Sequence, residues 1–243
     1  DKAIRINYPK KYKSKNMILI TGASRGIGKF LFGEFVKAGE EVYGTYYSEN
    51  KELENHERYF RLDVSDYDQA EKTVDLLGNK INKFVLINCA GNNYNCFAHK
   101  SSPQKWSEVI QTNLIGTYNM IRASLPKMRE QGYGRIINFS SIVAETGIPG
   151  TSAYAASKAA LWGMTRSIAV ENALKGITIN NLNLGYFNIG MIEEVSEEYQ
   201  KIVKSKIPTG KFGDPKNIYN AVKFIIDSEY INGSSVDMNG GIY

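Results

Sequence analysis

From Met17 onward, short apolar runs alternate with longer stretches in which apolar residues recur at helical spacing, and no linker or low-complexity segment interrupts them. That rhythm predicts an α/β fold. Strands are expected at Met17–Thr21, Glu41–Thr45, Tyr59–Leu62, Phe84–Asn88, Arg135–Ser140, Thr178–Leu182 and Val236–Met238. Their near-continuous apolar character suits parallel strands covered on both faces, so a doubly wound sheet of about seven strands is expected, with helices on both sides. Helices are expected at Ile27–Ala38, which ends before Gly39, at Pro103–Arg129 with an interruption near Pro126, at Ser152–Leu174, and at Asp214–Ser228. The charged, irregular stretch 186–210, with Glu193, Glu194, Glu197 and Glu198, follows the C-terminal end of a strand. Ligands bind at that edge of such sheets, so this stretch is a candidate substrate lid.

The length of 243 residues, with 42% hydrophobic content, accommodates one substantial core. A single domain over 17–243 is expected, preceded by a basic arm over 1–16. That arm holds Lys2, Arg5, Lys10, Lys11, Lys13 and Lys15 against Asp1, which accounts for the whole formal charge of +5. A short basic tail without an accompanying reader motif gives no reason to expect a nucleic-acid partner. No apolar run approaches the roughly 18 residues that cross a bilayer, and no signal-peptide core follows the basic residues, so no membrane association and a cytoplasmic location are expected. Cys89 lies in an apolar strand-like run, as a small buried thiol does, and neither Cys96 nor His56 and His99 form a metal-ligand pattern. No metal site is expected.

Ile18-Leu-Ile runs directly into Thr21-Gly-Ala-Ser-Arg-Gly-Ile-Gly28 and then a helical pattern, the context that a Rossmann-type dinucleotide fingerprint requires. Gly22, Gly26 and Gly28 permit a tight turn and close approach to a pyrophosphate resting on the helix N-terminus. Asp63, after the third strand, is placed to receive an adenine amino group, and Asn88-Cys-Ala-Gly91 forms a small-residue turn after the fourth. An acid at the end of the second strand would hold a ribose 2′-hydroxyl and repel a 2′-phosphate. Thr45-Tyr-Tyr-Ser48 stands there instead, and Arg25 adds a cation, which together predict NADP(H) as the cofactor.

Tyr154 and Lys158 stand four residues apart in Tyr-Ala-Ala-Ser-Lys, thirteen residues after Ser141. On a helix this spacing puts a phenol and an ammonium on one face, and a nearby cation lowers a phenol pKa from its usual value of about 10. The same spacing recurs at Tyr47/Lys51 and Tyr219/Lys223. The first lies in a polar turn and the second has no hydroxyl partner nearby in sequence, so both read as coincidences.

Taken together, Thr21-Gly-x-x-x-Gly-x-Gly28, Asn88-x-Ala-Gly91, Asn113, Ser141, Tyr154-x-x-x-Lys158 and Asn239-Gly-Gly241 resemble the short-chain dehydrogenases/reductases from about Asn16 to the end. Gly22-Ala-Ser-Arg-Gly-Ile-Gly28, Gly44-Thr45 with Ser48-Glu-Asn50, and Gly134-Arg-Ile-Ile137 make it most similar to the 3-oxoacyl-[acyl-carrier-protein] reductases. The resemblance implies that Tyr154 is the general acid, that Ser141 polarises the carbonyl, that Lys158 holds the nicotinamide ribose and lowers the Tyr154 pKa, and that Asn113 completes a proton relay. It also implies cofactor contacts at Gly22, Ser24, Arg25, Gly26, Ile27, Gly28, Thr45, Asp63, Val64, Asn88, Ala90, Gly91, Tyr154, Lys158, Gly185 and Ile189, and assembly as a homotetramer.

Two regions depart from that family. Leu184 and Ile189 replace a proline and a threonine around Gly185, and of two basic positions expected for docking an acidic acyl carrier protein, one is Gly132 and the other Lys175, with Lys127 and Arg129 nearby. The expected activity is NADPH-dependent reduction of a 3-oxoacyl thioester carried on acyl carrier protein or coenzyme A. The alternatives are the same chemistry on a sugar, steroid or small alcohol, and a non-catalytic NADP-binding module.

Overall fold

A computed structural model describes residues 16–78 and 82–242; the basic arm therefore lies outside the described residues except for Asn16. Strand β1 (Met17–Thr21) leads to helix α1 (Gly26–Lys37), and β2 (Glu41–Tyr46) to the short α2 (Lys51–Glu54). Then follow β3 (Tyr59–Arg61), α3 (Tyr67–Leu77), β4 (Phe84–Asn88), α4 (Pro103–Ile110) and α5 (Gly116–Gln131). β5 (Gly134–Ser141), α6 (Val143–Thr146), α7 (Ser152–Asn172) and β6 (Ile177–Leu184) complete the centre, and α8 (Glu197–Lys206), α9 (Pro215–Asp227) and β7 (Ser235–Met238) close the chain. The seven strands are parallel, in the order β3-β2-β1-β4-β5-β6-β7. The order reverses between β1 and β4, which opens a crevice at the C-terminal ends of those strands.

Each strand turns alternate residues to opposite faces. Met17, Leu19, Leu86, Ile136, Ile177 and Ile179 pack with residues of α3, α5 and α7 such as Val74, Met120 and Ile168. Ile18, Ile20, Val85, Ile87, Ile137 and Leu182 pack with Leu31 and Phe35 of α1 and with Ile218, Val222 and Ile225 of α9. Each face thus carries an apolar cluster, as the strand composition requires. A smaller cluster of Ile192, Val203, Ile207 and Phe212 holds α8 down over the sheet edge.

The expected break near Pro126 is not where the helix breaks. Pro126 sits inside α5, whereas the 103–131 stretch is interrupted earlier by a π-helical turn at Gln111–Ile115. Helix α3 was not anticipated; its core face is only Ala70, Thr73, Val74 and Leu77 among charged residues, and Asp66 caps it through the Gln69 amide at 3.1 Å.

Candidate active site

Thr21 ends β1 with its hydroxyl turned to the next crossover, where Oγ1 accepts from the amides of Cys89 at 3.1 Å and Ala90 at 3.0 Å. The glycine turn therefore lies against the β4 turn. A Cβ on Gly22, whose φ is +66°, would stand 2.8 Å from the Ala90 Cα, and one on Gly28 would stand 2.4 Å from the Gly22 carbonyl oxygen. Only glycine fits at either position. Helix α1 carries no side-chain cap and no acid in its first turn, whereas α3, α4, α8 and α9 are capped by Asp66, Ser102, Ser196 and Asp214. Its leading N–H groups and positive dipole end are thus left for an anion, which fits a dinucleotide pyrophosphate.

The remaining predicted cofactor positions have varied surroundings. Thr45 is buried, and its hydroxyl accepts from the Gly22 amide at 3.2 Å, so it braces the glycine turn, while Tyr47 and Ser48 are exposed beyond it. Arg25 is exposed at the N-cap of α1, with Ser24 and Ile27 partly exposed on either side. Asp63 Oδ1 accepts from the Ser65 amide at 2.9 Å and its hydroxyl at 2.7 Å, the local turn that the residue type also favours. Val64 is buried beneath Gly116, where a Cβ would come 2.5 Å from its Cγ2. Asn88 Nδ2 donates across the sheet to Asn138 Oδ1 at 2.9 Å. Gly185 passes Asn239 so closely that a Cβ would be 2.7 Å from its Cα. Ile189 is partly buried against the α1/α9 face of the core, and the next residue, Gly190, brings its Cα within 3.4 Å of the position a Cβ on Gly26 would take.

The four candidate catalytic residues come together from three elements. Tyr154 and Lys158 lie one turn apart on α7, Ser141 ends β5, and Asn113 stands in the π turn between α4 and α5. Tyr154 hydrogen-bonds Ser141, which pulls the phenol pKa down, but burial outweighs this and leaves it above the ordinary value. Lys158 is 7% exposed; its Nζ donates to the Phe139 carbonyl at 2.7 Å and lies 5.6 Å from the Tyr154 ring centroid. Burial lowers the lysine from 10.5 to about 8, slightly opposed by Cys89. Here the downward pull on Tyr154 comes from Ser141 rather than from the expected lysine.

Asn113 is wholly buried. Its Nδ2 donates to the Asn92 carbonyl at 2.9 Å and to Ser157 Oγ at 3.1 Å, and its Oδ1 accepts from the Asn92 amide at 2.9 Å. It stands within the π turn, and Thr117 Oγ1 donates to its carbonyl at 2.8 Å. A Cβ on Gly91 would stand 3.2 Å from Asn113 Oδ1 and 3.8 Å from Lys158 Nζ, so the glycine-lined crevice continues to the amine.

Sequence reasoning passed over Ser157, whose hydroxyl receives Asn113 and donates to the Tyr154 carbonyl at 2.7 Å. Its place beside Lys158, inside the Tyr-x-x-x-Lys motif, was the available signal. Cys89 packs against the core as a small thiol does; burial pushes its pKa well up, and the charge of Lys158 opposes that rise.

A phenol, a hydroxyl and a buried amine thus meet at the C-terminal edge of a doubly wound sheet, beside a glycine turn and an uncapped helix. Fold and site together define an oxidoreductase of CH–OH and C=O groups that uses a nicotinamide dinucleotide. The chain belongs to the short-chain dehydrogenase family, whose profile matches residues 16–200. It is 33% identical over 234 residues to a 3-oxoacyl-[acyl-carrier-protein] reductase of Haemophilus influenzae, covering 93% of this chain and 97% of that one. It is 34% identical over 235 residues to an acetoacetyl-CoA reductase of Rhizobium meliloti, with 93% and 97% covered. The crystal structure of a 3-oxoacyl-[acyl-carrier protein] reductase from Brucella melitensis superposes with a TM-score of 0.86 at 28% identity, over 95% of this chain and 92% of that one. A structure described as ElxO with NADP bound superposes with a TM-score of 0.85 at 28% identity, over 94% and 98%.

Proposed function

We propose that the protein reduces a 3-oxoacyl thioester, on acyl carrier protein or coenzyme A, to the 3-hydroxyacyl thioester with NADPH. The observation that carries this reading is the convergence of Ser141, Tyr154 and Lys158 beside the uncapped α1. Two relatives with those substrate classes in their names support it. When bound, the reduced nicotinamide supplies hydride to the carbonyl carbon. Tyr154 gives its proton to the carbonyl oxygen, and Ser141, already bonded to the phenol, donates to the same oxygen as charge grows on it. Lys158 holds the ribose, and Asn113 and Lys158 return a proton to Tyr154 through solvent. Preference for the 2′-phosphate rests on the acid-free end of β2, on exposed Tyr47 and Ser48, and on Arg25. The solved relative with NADP bound is consistent with it.

Gly132 caps α5 in the left-handed conformation at φ +65°, which explains why the helix end carries glycine where a docking cation was expected. Arg129 is drawn to Asn172 Oδ1 at 2.7 Å, leaving Lys127 and Lys175 as the cations offered to an acidic carrier. Val170 and Leu174, 83% and 101% exposed on and after α7, are proposed to be covered in a homotetramer. The 186–210 segment is read as the lid, and the cytoplasm as the place of action; no helix among the described residues is long and apolar enough to cross a membrane.

A second reading, reduction of a different carbonyl, is favoured by Leu184, buried in the core at the end of β6, and by Ile189, partly buried in the turn that follows, where the family carries a proline and a threonine. One assay tests both. NADPH oxidation is followed with an acetoacetyl thioester, beside NADH and beside Tyr154→Phe, for which a kcat loss of about 10²- to 10⁴-fold is expected with nucleotide binding retained. NADPH binding without thioester turnover would replace the first reading by the second. Full activity in Tyr154→Phe would refute the catalytic assignment and leave a binding module.

A further inference from the structure

Lys158 is held at both ends by neighbouring residues of one strand. Its ammonium meets the Phe139 carbonyl at 2.7 Å, and its own carbonyl accepts from the Ser140 hydroxyl at 3.0 Å. Ser140 in turn accepts from the indole of Trp162, one turn further along α7, at 3.1 Å. The same indole N–H is shared with Asn183 Oδ1 of β6, also at 3.1 Å, and Asn183 Nδ2 donates to Asp237 Oδ1 of β7 at 2.7 Å. The strand register makes this possible, since Ser140 pairs with Asn183 and Asn183 with Asp237. Alternation then turns all three side chains to the face that α7 covers.

The chain has only one sense. A carboxylate only accepts and an indole only donates, so the amide between them must turn its NH₂ to Asp237 and its oxygen to Trp162. Trp162 therefore meets Ser140 as a donor, and the single hydroxyl proton of Ser140 is left for the Lys158 carbonyl. Asp237, exposed on the edge strand, sets the orientation of every group between itself and the lysine.

We propose that Trp162, Asn183 and Asp237 are positioning residues that act through Ser140 to fix the backbone of Lys158, and hence the place of its ammonium in the cofactor crevice. This rests on the reading of Lys158 as the ribose-holding amine. The titratable groups facing that amine are Tyr154 on its own helix and Cys89 from the β4 turn, and neither belongs to the chain.

The test uses four variants of the full-length protein. Asn183→Leu removes the central link, and Asn183→Asp sets two carboxylates against each other. Asn183→Asp combined with Asp237→Asn restores a chain in which the carboxylate at position 183 accepts from both neighbours. Asn180→Ala is the control: Asn180 lies on the opposite face of β6, where it ties Ile231 O at 2.8 Å and Ser234 N at 3.0 Å. Three quantities are read: the NADPH dissociation constant, the pH profile of kcat/KM in reduction, and the urea midpoint. Asn183→Leu and Asn183→Asp are expected to weaken NADPH binding and kcat/KM by about tenfold or more and to move the limb of the profile belonging to Lys158. The double variant is expected to recover most of both, and Asn180→Ala to lower only the urea midpoint.

Unchanged NADPH affinity and pH limb in Asn183→Leu, or a double variant no better than Asn183→Asp, would overturn the proposal. If Asn183→Leu does not fold, Trp162→Phe breaks the same link from α7. A wrong substrate assignment leaves the nucleotide measurement intact, and loss of the ribose role would show as unchanged NADPH affinity in Lys158→Met, so failure of the underlying reading is seen separately.

Discussion

The buried amine makes a prediction about stability that needs no substrate. Lys158 is 7% exposed and burial holds it at about 8 against an ordinary 10.5. Between those values the unfolded chain keeps a proton that the folded chain has lost, so stability rises with pH across the window. Below it both states are protonated and the full cost of burying the charge is present, about 3 kcal/mol for the interval between the two values. Integrated from pH 7 to pH 9, the linkage amounts to about 1 kcal/mol gained. The bond from Nζ to the Phe139 carbonyl favours the charged form and sets a limit on this gain. Urea unfolding at both pH values is compared for the parent and for Lys158→Met, each in a Cys89→Ala background, because the Cys89 thiol is coupled to the lysine charge while the uncoupled groups cancel in the difference. The parent should gain about 1 kcal/mol more than the variant on going to pH 9. Equal gains would show that the amine keeps its ordinary pKa in the fold, and the account of the site's electrostatics would fall with it.

Two further outcomes follow from close packing. Gly28→Ala would drive a methyl to within 2.4 Å of the Gly22 carbonyl oxygen; the turn must open, and nucleotide titration should show at least about tenfold weaker NADPH binding, with near-parent affinity ruling this out. Arg135, 6% exposed, donates to the carbonyls of Ile226, Gly134 and Gly176 and lies 4.4 Å from the Tyr133 ring centroid. Arg135→Met removes those three bonds, leaving the Gly176 carbonyl, among the described residues, only the Gly134 amide at 3.4 Å, and should cost about 2–4 kcal/mol in urea unfolding, whereas a loss below about 1 kcal/mol would mean that water replaces the guanidinium.

The apolar runs marked the five inner strands because those bury both faces, and the partly buried edge strands β3 and β7 were found from shorter runs; β1 and β4 match residue for residue, and β5 and β6 run one to two residues longer at their ends. Where the pattern weakened, so did the reading. Helix α3 escaped because four core residues among acids and lysines resemble a solvated turn. Proline at 126 suggested a break, yet α5 continues through it, and the irregularity falls at Asn113, where no breaker residue announces it. At the site, the motif residues were legible as types at fixed spacings, and the structure gathers them. Invisible were the partners that use the backbone, such as the Phe139 carbonyl on Lys158, and the local engagement of Asp63 by Ser65.

Least visible was the change of character along one face of the sheet. Toward the N-terminal strand ends that face is Leu19, Leu86, Ile136 and Ile179; toward the site it becomes Thr21, Asn88, Asn138 and Asn181, all buried. At that level the opposite face carries Ile20, Ile87, Phe139 and Leu182. A buried amide adds to stability only where it is paired, and these are joined in register: Asn88 Nδ2 to Asn138 Oδ1 at 2.9 Å, Asn138 to Asn181 at 3.3 Å, and Asn181 to Ser235 at 3.0 Å, with Asn88 Oδ1 left without a protein partner among the described residues. Thr165 of α7 enters the ladder by donating to Asn181 Oδ1 at 2.8 Å and accepting from Asn138 at 3.1 Å. Asn181→Leu therefore orphans the Thr165 hydroxyl and one Asn138 proton, at a cost of about 1–3 kcal/mol. Adding Thr165→Val removes one orphan, so the double variant should lose less than the sum of the singles by about 1 kcal/mol. Additivity within about 0.3 kcal/mol would show that the rung carries no coupling and that α7 rests on this face by packing alone.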